Sequence, residues 1–184
     1  MAYKKFFPTS NDPFLLAQED MALAKFGHLN SLIDYVNQIG LATVNTATAA
    51  VSLLPSQSGN TIFLAKATGA TYTLPATNQV TIGTNYKFIV TTTVTSNAYI
   101  IQTGSATDFL NGVILANTNS GTYAAPNITT MVGNGTSHVK FTMDGSTKGG
   151  LATAEITFVC TAVGQWYVTG RALYSGTIAN PFST

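Results

Sequence analysis

A change of period at Ser56 narrows the possible folds more than any other feature of this chain. Downstream of it, β-branched and aromatic residues recur every second position, as in the NYKFIVTTTV of residues 85–94, a pattern that fits a pleated, half-buried surface. The same alternation predicts strands at 61–65, 71–74, 98–103, 108–115, 138–144, 155–161 and 165–173, punctuated by Gly and Pro. Residues 61–65 and 71–74 read as a hairpin, and 98–103 as the strand answering 85–94 across Thr95, Ser96 and Asn97. The best-marked hairpin turns at 162–165, where both flanks alternate and Gly164 sits in the turn. Residues 116–135, rich in Asn, Gly, Ser and Thr, read as loop. About eight short strands with no tandem repeat of fixed period predict an antiparallel β-sandwich of jelly-roll type, in preference to a barrel or a solenoid.

Upstream of Ser56 the period is helical. In residues 12–40, Ala22, Phe26, Leu29, Ile33 and Val36 recur at spacings of four and three, and Leu32 and Ile39 widen the stripe. Asp12 and Pro13 suit a helix start and Gly40 a stop. Gly27 interrupts the stripe at about 1 kcal/mol relative to Ala, which leaves open one long helix or two shorter ones meeting near Phe26, Gly27 and His28; we read two. Residues 1–11 form an aromatic, basic arm kept extended by Pro8, and 41–55 an uncharged connector packed along the helical part. The expected organisation is therefore an N-terminal region, 1–55, for attachment and oligomerisation, and a β domain, 56–184.

Charge constrains the partners. Asp, Glu, Lys and Arg make up 8% of the chain, against roughly 25% in ordinary soluble proteins. With a formal net charge of +1, copies barely repel one another, which suits a subunit held in an assembly. Lys4 and Lys5 are the only adjacent cations, too few for a nucleic-acid interface. No apolar run reaches the length of a membrane span or a signal peptide, so neither a membrane partner nor cleavable export is expected. The single Cys160 lies in an apolar strand and reads as a small core residue.

Catalytic patterns are missing. Of seven carboxylates, Asp12, Glu19, Asp20 and Asp34 fall in the helical part and read as its solvated face, leaving Asp108, Asp144 and Glu155. Asp144 and Gly145 suit a turn, and Asp108 a similar position. His28 and His138 lack ligand partners at metal spacing, and no nucleophile elbow, phosphate loop or dinucleotide fingerprint occurs. We expect no enzyme, no cofactor and no metal. Exposed aromatics offer another route, because Tyr faces stack on sugars. Tyr86, Tyr99, Tyr123, Tyr167 and Tyr174 are candidates, roughly half of them core-facing on alternating strands. Tyr123, in the polar loop, is the least core-like and the one named for glycan contact.

Two stretches, KFGHLNSLIDYVNQI at 25–39 and SGNTIFLAKATGATYTLPA at 58–76 followed by GTNYKFIVTT, together with the late GQWYVTGRA, resemble virion structural proteins of tailed and marine phages, of the capsid decoration, cement and head-fibre type. The resemblance covers about two-thirds of the chain and carries no family site residues. It implies a protein located in the virion, whose N-terminal segment binds the major capsid protein or another virion protein while an oligomeric β domain projects outward. On that reading Lys4, Lys5, Phe6 and Phe7 attach the chain to the capsid, and Phe26, Leu29, Ile33 and Val36 drive association, with a homotrimer expected. The alternative is a receptor- or carbohydrate-binding module of a phage tail or spike.

Overall fold

The computed structural model describes residues 43–45, 49–118 and 128–184. The predicted helical stretch 12–40, the arm with Lys4, Lys5, Phe6 and Phe7, the stripe residues Phe26, Leu29, Ile33 and Val36, and Tyr123 lie outside them.

Twelve strands form among the described residues: β1 (Thr43–Asn45), β2 (Ala50–Ser52), β3 (Thr61–Leu64), β4 (Ala70–Thr73), β5 (Asn85–Val90), β6 (Tyr99–Gln102), β7 (Phe109–Thr118), β8 (Ile128–Asn134), β9 (Lys140–Met143), β10 (Glu155–Ala162), β11 (Gln165–Tyr174) and β12 (Phe182–Ser183). They make two sheets, a larger one in the order β1-β3-β5-β10-β11-β7-β8 and a smaller one in the order β12-β9-β6-β4-β2. The chain is thus mainly β, and all eight expected strands are present. Alternation explains why: in β5 the buried Tyr86, Phe88 and Val90 interleave with half-buried Asn85, Lys87 and Ile89.

The expected antiparallel, jelly-roll pairing is not what forms. From β1 to β6 the chain alternates between the sheets, each strand lying parallel to the one two before it: β1 with β3, β3 with β5, β2 with β4, β4 with β6. This first half is a short solenoid of three turns, the architecture set aside for want of a fixed period. The period is hidden because the turns differ in length. Thr43 pairs with Ile62 and Thr61 with Lys87, offsets of 19 and 26 residues. Consequently 61–65 and 71–74 are no hairpin, and β6 does not pair with β5. The corner after β3 shows the reason. Its backbone bonds are completed by the following turn, Thr95 N–H donating to Ala67 O at 2.8 Å and Ala70 N–H to Ala98 O at 3.1 Å. Gly69 sits there at φ 74°, and a Cβ on it would run into the Ala98 backbone. The stretch read as a connector supplies β1 and β2, so the β unit starts before Ser56.

The second half is largely antiparallel. The hairpin expected at 162–165 joins β10 to β11, with Ala162 opposite Gln165, and β5 pairs antiparallel with β10. The sheets pack face to face through a run of edge-on rings. Tyr72 meets Phe88 at 5.5 Å, Phe88 meets Phe158 at 5.6 Å, Phe158 meets Phe141 at 6.0 Å and Phe141 meets Phe182 at 5.0 Å. Each such contact adds about 0.5–1.5 kcal/mol to the burial of the rings themselves. Trp166 is core, fully buried beside Tyr86.

Candidate interaction surface

The outer face of the larger sheet is divided by chemistry. Toward its middle, Lys87 Nζ contacts Glu155 Oε1 at 2.8 Å, and Arg171 lies opposite Glu155 on the next strand, so its charges sit together. Toward the β8 edge there are none on the strands themselves, since neither FLNGVILANT of β7 nor ITTMVGN of β8 contains an ionisable residue.

Alternation in β7 buries Leu110, Ile114 and Ala116 and turns Val113 and Leu115 outward. The antiparallel register sets Val113 opposite Val132, Leu115 opposite Thr130 and Asn117 opposite Ile128. Parallel pairing with β11 adds Tyr167 beside Asn111. Relative exposures are 41% for Val113, 42% for Leu115, 56% for Ile128, 52% for Val132 and 41% for Tyr167. Scattered exposed apolar residues are ordinary, whereas a contiguous strip of them marks a contact surface. β8 was not anticipated, because residues 116–135 read as loop. The signal was present in Ile128, Thr129, Thr130 and Val132, four β-branched residues in five, masked by the polar residues before them.

The carboxylates of the β unit are engaged. Asp108 is buried; its Oδ1 accepts from Thr77 Oγ1 at 2.6 Å and its Oδ2 from Thr77 N–H at 2.8 Å. Thr77 Oγ1 in turn accepts from Gly164 N–H at 2.7 Å, so the group fastens the 3-10 turn Thr77–Gln79 and the start of β7 to the β10–β11 hairpin. Asp144 is the expected turn residue. Its Oδ1 accepts from Ser146 N–H and Lys148 N–H and its Oδ2 from Thr147 Oγ1, all at 2.8 Å. Burial pushes this carboxyl up, but those hydrogen bonds together outweigh it and hold the group below the usual aspartate range.

His138 Nδ1 accepts from Asn134 N–H at 3.2 Å and its ring stacks on Phe182. Burial, then the charge of Asp108, push the Cys160 thiol up. Among the described residues no three His, Cys, Asp or Glu side chains gather as metal ligands, and no helix is long and apolar enough to cross a membrane. A shallow cleft of ≈ 190 Å³ at the ends of β6 and β9 is lined by Gln102, Thr103, Ser105, Val139 and Lys140, without an aromatic platform. Of the other candidate tyrosines, Tyr86, Tyr99 and Tyr174 are buried in the core and Tyr167 is exposed. The chain matches no protein-family model and no curated protein sequence.

Proposed function

We propose that the chain is a structural protein of a virus particle, a capsid decoration, cement or head-fibre subunit of a phage. The observation that carries the reading furthest is the uncharged, partly apolar strip on β7 and β8, a surface suited to lasting protein contact more than to free solution. The low overall charge and the resemblance of 25–39 and 58–76 to virion proteins support it. In this reading residues 1–11 hold the capsid through Lys4, Lys5, Phe6 and Phe7, the stripe from Phe26 to Val36 gathers the chains into a homotrimer, and the β unit faces outward. Deleting residues 1–11 is expected to abolish co-sedimentation with particles lacking the protein while leaving β-rich circular dichroism intact. Undiminished binding by the truncated chain overturns the attachment role.

A second reading, a receptor- or glycan-binding module, is favoured by the exposed Tyr167, whose register neighbour on β7 is the exposed amide residue Asn111. An aromatic face beside an amide is the chemistry that stacks on and hydrogen-bonds a sugar. Saturable binding on a glycan array, lost in Tyr167→Ala, supports this reading; binding to no glycan removes it.

A further inference from the structure

We infer that the open edge of β8 pairs antiparallel with β8 of a second copy of this chain, across a two-fold axis at Thr130. Among the described residues β8 ends its sheet, with β7 on one side and no strand on the other. The direction of its main-chain groups follows from two contacts. Gly135 N–H donates to Leu110 O at 2.9 Å, continuing the β7 register, so the odd-numbered residues of β8 turn their amides and carbonyls toward β7. The even-numbered Ile128, Thr130 and Val132 therefore aim theirs at the open side, where Asn180 Nδ2 reaches Val132 O at 3.5 Å.

Edge strands in soluble proteins are usually blunted by Lys, Pro or an inward charge, and β8 has none of these. What it has is a sequence that answers itself. Run antiparallel about Thr130, ITTMV sets Ile128 against Val132 of the second copy, Thr130 against Thr130 and Val132 against Ile128 on the exposed face, with Thr129 against Met131 on the other. Apolar thus meets apolar, and hydroxyl meets hydroxyl. An uncharged strand discriminates against charged partners and accepts a neutral one, and the second copy presents the same neutral edge in the complementary order. The outward amides and carbonyls of the even-numbered residues would then extend the ladder, Val132 O accepting from Ile128 of the second copy on the lone pair that Asn180 Nδ2 leaves open. The two strips of Val113, Leu115, Ile128 and Val132 would join into one face.

The inference does not rest on the virion reading, and its test reads mass where that one reads particle binding. Sedimentation of the full-length chain should give an assembly twice the mass of those formed by Thr130→Pro and Val132→Lys. The proline removes only an outward amide and spares the β7 ladder, while the lysine places a charge beside the partner's Ile128. Under mild oxidation Thr130→Cys should yield a covalent dimer, because directly opposed residues in such a pair lie about 5.5 Å apart. Ala162→Cys, exposed on another strand, should not. If Thr130→Pro fails to fold, Val132→Lys and Thr130→Cys still decide the matter. A wild-type chain that sediments alone overturns the inference. So does an assembly whose mass Val132→Lys leaves unchanged, or Thr130→Cys that cross-links no faster than Ala162→Cys.

Discussion

Asp108→Ala should be among the most damaging single changes in the β unit, although Asp108 is a buried polar residue and not one of the apolar side chains that build the core. The carboxylate is buried, and both of its oxygens are taken by Thr77, through N–H at 2.8 Å and Oγ1 at 2.6 Å. Truncation leaves the Thr77 amide buried with no acceptor, at about 1–3 kcal/mol, and costs about 1 kcal/mol more for the hydroxyl bond. The expected loss is about 2–4 kcal/mol, a large part of the roughly 5–15 kcal/mol that holds a domain together. Asp108→Asn keeps the shape but serves only one of the two Thr77 donors with an acceptor, so about 1–2 kcal/mol should go. Trp166, the single tryptophan, is fully buried on β11 near the same hairpin, so its fluorescence in urea reports this unit. With a slope near 2 kcal/mol per molar, the alanine variant's midpoint should fall by roughly 1–2 M at unchanged slope. A loss below about 1 kcal/mol for alanine, or equal losses for alanine and asparagine, would refute the argument that Thr77 donors set the penalty.

Gly112→Ala should destabilise by at least about 2 kcal/mol in the same urea titration, because Gly112 holds φ 138° and its added Cβ would run into the carbonyl oxygen of Val168 on β11. Asp144 supplies a pH effect: its folded-state pKa lies below the unfolded one, so its contribution is complete above the ordinary aspartate range and is lost as pH falls through the folded value. Asp144→Asn should therefore flatten the acid limb of a stability-against-pH curve, and an unaltered limb would contradict the assignment. Cys160 is buried with its thiol pushed up, so a thiol-reactive dye at neutral pH should label it only after unfolding.

Much of the β unit is legible from local pattern, because alternation is a property of a strand and its two faces. The strands at 85–90, 155–162 and 165–174 and the turn at Gly164 follow from side chains that must divide between core and solvent. Asp144 as a turn carboxylate is equally local, its partners lying within four residues. Asp108 is different. Thr77 and Gly164 come to it from 31 residues before and from the far hairpin, and nothing in the residues around Asp108 announces either.

By itself, then, the sequence determined the strand content, the buried face of each strand and a surface nearly free of charge. Which strands pair was decided only by the tertiary structure. A period of two says that Ile62 and Leu64 face inward but is the same whether β3 turns back on β4 or crosses to the opposite sheet. The choice rests on main-chain bonds between successive turns of unequal length, such as Thr95 to Ala67, and on the space left at Gly69 for the Ala98 backbone. The exposed strip has the same origin. Val113 and Val132 lie on different strands, and only the β7–β8 register makes them neighbours, because a side chain's exposure is local while a surface is assembled from several strands.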